Sequence, residues 1–292
     1  MKQTTTERLH IVEGTDWKDA AIALMESRCP YRPWRYGFGE MREGDPVAVV
    51  LNTDPPSIMT TLGRIGIDGR SDRAVIEWPY PGPTLLDLTT LTAVVNFPHD
   101  QDPRNVWMLR GDAAIRLELA LNEAEYRNDS SMRYGHSNVA AARILLHSEG
   151  RCTGCDSGID LTWWDARDHA HIRTVDAALR DPSEVLIQDK KGWASYVEGP
   201  FNPKSWLLPE LPTDWPGVLC PRCVTRMDED GHATLLDFRF SQHPKCPNCG
   251  AGRTQRAVFG MPARLDNPPW LDMRGCCVTP DNWTCTACAY KW

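Results

Sequence analysis

Long apolar runs are absent from this chain. No stretch of about 18 consecutive apolar residues occurs, so we expect no transmembrane helix and no membrane partner. Residues 1–10 are polar and rich in threonine, and they lack the apolar core that a signal peptide needs. These two absences predict a cytoplasmic protein.

An excess of positive charge is also missing. The net charge is −7 at pH 7, and neither half of the 292-residue chain carries more basic than acidic residues. This excludes a broadly basic nucleic-acid clamp, so DNA or RNA would have to be held by local clusters or by a metal ion that offsets carboxylates. The length exceeds that of one ordinary hydrophobic core and predicts two or three units.

The N-terminal part alternates helix and strand patterns. Short apolar or β-branched runs, separated by Pro, Gly and Asp, predict strands at 46–51, 57–62 and 74–78. Apolar residues at helical spacing predict helices from residue 15, over 112–126 and over 138–147, the first capped by Asp16 and the last by Ser137 or Asn138. A polar stretch after residue 126 predicts a domain boundary, with an α+β unit over 1–130.

Cysteine is the residue type that stands out. The chain has 11 cysteines, and an odd count excludes a fully paired disulfide framework. Eight of them form four CxxC pairs: Cys152/Cys155, Cys220/Cys223, Cys246/Cys249 and Cys285/Cys288. Two intervening residues allow both thiolates of a pair to reach one ion at about 2.3 Å, so we predict two four-cysteine zinc sites.

The pairing of these motifs has two solutions. Pairing in sequence order joins the first with the second and the third with the fourth, while crossed pairing stays open. Cys29, Cys276 and Cys277 remain outside both sites, and we interpret the last two as packing residues; the alternative is that one of the two replaces a ligand.

The segment Arg-Asp-His-Ala-His-Ile at 167–172 lies about a dozen residues after the first pair. Together with the flanking cysteines it resembles the HNH (ββα-metal) endonucleases over roughly 138–230. The resemblance implies a domain at 131–235 in which a strand bears Asp-His and the second CxxC opens a helix. It further implies that Asp168 ligates a catalytic Mg²⁺ or Mn²⁺ and that His169 activates water.

One position departs from that family. Val224 follows the second pair, where the family commonly has Asn or His, and the family's Asn before that pair is matched only by Asp214 and its neighbour. A third ligand would have to come from His171 or Asp214. The alternative is a non-catalytic zinc protein with a degenerate HNH fold that binds nucleic acid or recruits partners.

The C-terminal part, 236–292, resembles a zinc ribbon. Its two CxxC motifs, the first followed by Gly and the second within Trp-Thr-Cys-Thr-Ala-Cys-Ala-Tyr-Lys-Trp at 283–292, look like the knuckles that short strands bring together in that fold.

The N-terminal unit loosely resembles the PUA-like and EVE domains. The resemblance rests on an aromatic segment and an Arg-Glu-Gly-Asp turn before a strand, within 34–47. It implies a barrel-like fold in which Trp34 and Trp78 contact a modified base. The alternative is a β-barrel-like scaffold in which both tryptophans are core residues.

Taken together, these resemblances predict an HNH endonuclease that hydrolyses double-stranded DNA. A base-reading unit joined to a cleaving unit resembles the modification-dependent restriction enzymes, so we expect a role in restriction or anti-phage defence, with other defence proteins as candidate partners.

Overall fold

The computed structural model describes residues 8–25, 41–68, 73–78, 85–88, 91, 106–127, 135–162, 165–176, 213–260, 268–276 and 278–292. The helices within them are α1 (Trp17–Met25), α2 (Asp112–Arg127), α3 (Asn138–His147), α4 (Ala166–His169), α5 (Pro221–Glu229) and α6 (Leu235–Ser241). None of the helices in these ranges is both long enough and apolar enough to cross a bilayer.

The strands follow the same chain order. They are β1 (Arg8–Gly14), β2 (Pro46–Leu51), β3 (Ser57–Met59), β4 (Gly63–Asp68), β5 (Arg73–Glu77), β6 (Leu85–Asp87), β7 (Val106–Arg110), β8 (His171–Arg173), β9 (Gly217–Leu219), β10 (Thr254–Val258), β11 (Leu271–Met273) and β12 (Trp283–Cys285). Together with the helices they form a mixed α+β protein, as the sequence predicts.

Seven strands form the N-terminal sheet, in the order β5-β4-β2-β1-β7, with β3 bridging β2 and β6. β1 and β2 are parallel because α1 carries the chain from one to the other, and the other pairings are antiparallel. Over the described residues β5 and β7 do not pair, so the sheet is open. The expectation of a barrel-like unit is therefore wrong: a parallel pair with a crossover helix sits in the middle of an open sheet.

The central strands are buried on both faces. In β2, Val47, Val49 and Leu51 point to one cluster and Ala48 and Val50 to the other, because successive side chains alternate. α2 covers the second face. α1 and α3 cover the first.

The first hydrophobic cluster extends beyond the sheet. It joins Leu24 of α1 to Leu145 of α3 and continues to Cys152, Val218 and Phe238. It thus crosses the boundary that the sequence predicts at residue 130, and the histidine segment and the first cysteine pair rest on the N-terminal core.

The C-terminal strands form a separate sheet in the order β11-β10-β12. β10 is parallel to β11 and antiparallel to β12, with Thr254 opposite Cys285. A small cluster of Trp215, Leu236, Phe240 and Trp270 packs α6 against the segment that leads into β11.

Candidate metal centres and the histidine segment

Four thiols converge between α3, β9 and α5. The sulfur atoms of Cys152, Cys155, Cys220 and Cys223 all lie within 4.8 Å of one another, and the Sγ atoms of Cys155 and Cys220 are 4.0 Å apart. Tetrahedral Zn–S bonds of about 2.3 Å place sulfurs about 3.8 Å apart, whereas a disulfide needs about 2.05 Å. The geometry therefore fits a metal centre, which we call the first centre.

Local backbone structure prepares the first centre. Cys220 is the N-cap of α5 and Pro221 its first residue, an arrangement that directs the positive end of the helix dipole toward the thiolates. The Cys220 backbone N–H donates to Cys152 Sγ at 3.2 Å. At Gly154 a Cβ atom would lie 3.1 Å from Cys223 Sγ, so the two knuckles are in close contact.

Burial opposes ionisation of several of these thiols. It raises the pKa of Cys152 to about 11 and also raises the pKa of Cys223. At Cys155 burial acts in the same direction, but hydrogen bonds with Ser157 and the neighbouring thiols outweigh it and lower the pKa to about 6. Four thiolates in this position need a cation to offset their charge, as a structural zinc ion does.

The second centre consists of Cys246, Cys249, Cys285 and Cys288, which also lie within 4.8 Å of one another. Two Sγ–Sγ distances match the edge length expected for a tetrahedral zinc site: 3.8 Å between Cys246 and Cys288, and 3.6 Å between Cys249 and Cys285. Asn248 Nδ2 donates to Cys288 Sγ at 3.7 Å, and the Ala287 backbone N–H donates to Cys285 Sγ at 3.4 Å. Pairing in sequence order is confirmed, and crossed pairing is excluded.

The remaining cysteines do not extend these centres. Cys276 is an exposed free thiol, so our interpretation of it as a packing residue is wrong: the turn after β11 places it on the surface. Cys29 and Cys277 lie outside the described residues.

Asp168 and His169 occupy a helical turn, α4, and not a strand as the HNH resemblance implies. The Asp168 backbone N–H donates to Asp165 O at 2.8 Å, and β8 begins only at His171. Arg167 anchors the turn to α1 through an ion pair with Asp16 at 2.8 Å. This contact joins the turn to the N-terminal unit.

His169 has a defined orientation. Its Nδ1 lies 3.0 Å from the backbone oxygen of Asp160, and its Nε2 lies 3.6 Å from Asp165 Oδ2. Because a carbonyl oxygen only accepts, Nδ1 carries the proton in this contact, and in the neutral ring Nε2 is then the nitrogen with the lone pair. The side chain is about one-third exposed at 33%. In its neutral form, this partly exposed imidazole can accept a proton on Nε2.

The other candidate ligands do not gather around His169. Asp168 and His171 are both exposed, and His171 lies opposite Leu219 in the β8–β9 pair. Among the described residues, no group of three or more potential ligands includes either histidine or Asp168.

Asp214 has a structural role. Its Oδ1 accepts the backbone N–H groups of Trp215 and Leu235 at 2.8 and 2.9 Å, and its Oδ2 accepts from Arg173 at 2.9 Å. The buried carboxylate thus links β8 to the start of α6, which leaves it poorly suited to the third-ligand position we considered. Val224, in the position the HNH family gives to Asn or His, packs against the core.

Trp78 faces the protein interior. Its ring stands over Gly63, where a Cβ atom would lie 3.1 Å from the ring, and it packs against the first hydrophobic cluster. Its Nε1 is buried and has no hydrogen-bond partner among the described residues. Trp34 lies outside those residues, so the base-binding role of the two tryptophans stays a prediction.

Searches of family models, of curated proteins and of solved structures found no match to this chain.

Proposed function

We propose that this chain is a two-zinc protein whose ββα unit, formed by β8, β9 and α5, hydrolyses phosphodiester bonds in double-stranded DNA. One observation carries the proposal. An antiparallel strand pair leads at once into a helix whose start supplies two thiols of the first centre. His171 is the first residue of the first strand, and His169 ends the helical turn just before it.

The chemistry requires a base for water and positive charge for the leaving oxygen. In the proposal, His169 Nε2 removes the proton from water, the Asp160 carbonyl fixes the ring, and the carboxylate of Asp165 stabilises the charge that the ring gains. Asp165 acts as a positioning residue.

Charge neutralisation at the phosphate is the contribution that a divalent ion, Mg²⁺ or Mn²⁺, makes when bound. Asp168 offers an exposed carboxylate for it beside His169. Among the described residues, no group of three potential ligands surrounds this position. The proposed catalytic roles are therefore those of His169 and of the two residues that contact its ring, Asp160 and Asp165.

The biological setting we propose is restriction or anti-phage defence, with modified DNA as substrate and other defence proteins as partners. This part rests on the two sequence resemblances. Because the net charge is −7, DNA would be held through local cationic groups.

The second candidate is a non-catalytic zinc protein that binds nucleic acid or other proteins. Two observations favour it: Asp168 and His169 lie on a helical turn, and no three-ligand group surrounds them over the described part of the chain. In this case the two centres serve only to hold the fold.

Plasmid nicking in the presence of Mg²⁺ or Mn²⁺ separates the two candidates. His169→Ala is expected to lower the cleavage rate by about 10² to 10⁴, the usual contribution of a general base, with zinc content and thermal unfolding unchanged. His136→Ala, which changes an exposed histidine of the same unit, is the matched control and should cleave normally. Asp168→Ala should raise the Mn²⁺ concentration needed for activity.

Full metal-dependent cleavage by His169→Ala, in a preparation that retains zinc and carries no other nuclease, would overturn the assignment of the base. Absence of cleavage by the zinc-loaded wild-type protein on plain and modified DNA would leave the non-catalytic candidate in its place.

A further inference from the structure

A cleft of about 690 Å³ separates the first centre from the C-terminal sheet. One wall includes Thr153 and Cys155 of the first knuckle, and the other includes Arg256 of β10 and Trp283 of β12. This volume lies within the range of small-molecule sites, roughly 300–1,000 Å³. The cleft contains neither His169 nor His171, so it is separate from the segment to which we assign catalysis.

Guanidinium groups outnumber carboxylates among the side chains that line the cleft. Arg151, Arg239 and Arg256 line it, and Asp156 is the carboxylate among the described residues that do so. Asp156 is already paired with Arg239 at 2.9 Å. Arg151 and Arg256 have exposed side chains, so their guanidinium groups can donate hydrogen bonds to an anionic ligand in the cleft.

Arg239 is the most unusual of these groups. It is only 7% exposed, its Nη1 donates to Gly154 O at 2.9 Å, and its guanidinium lies 5.0 Å from the centre of the Trp270 ring. Its Nε is buried and has no hydrogen-bond partner among the described residues. Contacts with Gly154, Asp156 and Trp270 thus fix a cationic group in the wall of the cleft, where it attracts an anionic oxygen.

Aromatic rings complete the lining. Trp283 is half-buried, and its ring centre lies 4.9 Å from that of His243, with the planes at 65°. Burial lowers the pKa of His243, so its ring is a neutral aromatic surface at pH 7. Trp215 and Trp270 meet edge to face at 6.1 Å deeper in the cleft. Stacking rings next to guanidinium groups are the combination that holds a base and its phosphate together.

We infer that this cleft binds a nucleotide, with the phosphate against Arg239 and Arg256 and the base against Trp283. The nucleotide can be free or part of a nucleic-acid strand, since both present the same base and phosphate. The inference goes beyond the proposed cleavage and stands on different residues.

The test is equilibrium binding by the zinc-loaded full-length protein without added Mg²⁺ or Mn²⁺. The probes are a fluorescent single-stranded hexadeoxynucleotide, deoxyadenosine monophosphate and inorganic phosphate. Arg256→Ala is expected to weaken binding of the ligand at least 5-fold. Trp283→Ala should weaken it about 5-fold to 150-fold, the range for loss of one stacking ring, and Trp283→Phe should restore part of it.

Arg116→Ala is the matched control, because it removes an exposed arginine of α2 that does not line the cleft, and it should bind as the wild type does. Saturable binding of the mononucleotide assigns the cleft to free nucleotides, and binding of the hexanucleotide alone assigns it to a strand. The zinc content of each variant shows whether its fold is intact. Because the Arg256 side chain is exposed, Arg256→Ala should fold, and it tests the inference even if Trp283→Ala does not fold.

Three results would overturn the inference: no binding of either nucleotide probe by the wild type, equal binding by Arg256→Ala and Arg116→Ala, or binding of inorganic phosphate as tight as that of the nucleotides. His169→Ala should bind normally. Cleavage and nucleotide binding can therefore be tested separately, because His169→Ala should lose the first and keep the second.

Discussion

The two cysteine centres each have four thiols and the same CxxC spacing, with two thiols buried in each, but they differ in the exposure of the other two thiols. In the first centre Cys152 and Cys223 are 0% and 1% exposed and belong to the main hydrophobic cluster. In the second, Cys249 and Cys288 are exposed and the supporting sheet has three short strands.

This difference separates two properties of a zinc site: the ability of its thiolates to bind the ion, and the dependence of the surrounding fold on that ion. The spacing of a CxxC motif is enough to bring two thiolates to one ion, wherever the motif lies. How much of the fold depends on that ion is decided by what packs around it. At the first centre the metal and the core support each other, whereas at the second the metal is the main organiser of a small unit.

The largest effect should come from removing one ligand at each centre. A structural zinc site contributes on the order of 10 kcal/mol to its fold. Because Cys223 lies in the main cluster, Cys223→Ser should lower the main thermal unfolding transition strongly. Cys249→Ser should leave that transition nearly in place and remove hydrogen-exchange protection from β10 and β12.

Elemental analysis, calorimetry and hydrogen exchange measure these outcomes. Each variant should hold about one zinc ion fewer than the wild-type protein. Equal shifts of the main transition in Cys223→Ser and Cys249→Ser would remove the distinction between the two centres.

A chelator should produce the next largest difference. Two thiols of the second centre are open to solvent, while the first centre has two ligands in the core, so zinc should leave the second centre first. Titration with a chromogenic chelator is expected to show two phases, and the fast phase should accompany loss of protection in β10. A single phase would show that the two centres lose zinc equally fast. Early loss of hydrogen-exchange protection in α5 would show that zinc leaves the first centre first.

Paired glycine substitutions should give the smallest effect. At Gly217, beside the first centre, a Cβ atom would lie 2.6 Å from Thr153 Oγ1 and 2.8 Å from Leu235 Cδ2, whereas at Gly252 nothing lies within 4 Å. Gly217→Ala should therefore destabilise the protein by about 1–3 kcal/mol, the usual cost of overpacking, and Gly252→Ala should change stability by less than about 1 kcal/mol. Denaturant unfolding measures both, and a larger loss at Gly252 would show that the second centre is the tighter one.

Sequence patterns predicted α1, α2 and α3, because their amphipathic faces and caps are local, whereas they did not predict α4 or α6. α1 and α3 begin where expected, and the Ser137 hydroxyl accepts the Ala140 N–H at 3.1 Å. β1 was missed. It lies between β2 and β7 and is buried on both faces, so it shows no alternation, and its buried His10 is acceptable only because Asp45 lies 3.0 Å away.

The functional residues were predicted from the sequence only where they lie close together in the chain. All eight ligands of the two centres were recognised from their spacing. The contact of α4 with Asp16 joins residues about 150 positions apart, and no local pattern reports it. The cleft was missed because Arg151, Arg239 and Trp283 come from three distant segments.

By itself, the sequence determined which side chains could chelate zinc and where the main helices lie, since spacing over a few residues controls both. Tertiary structure alone decided that the first CxxC meets the second, that β5 and β7 do not pair over the described residues, and that the second centre exposes two of its thiols while the first exposes none. These outcomes depend on packing between segments tens of residues apart, where burial of apolar surface outweighs any local preference.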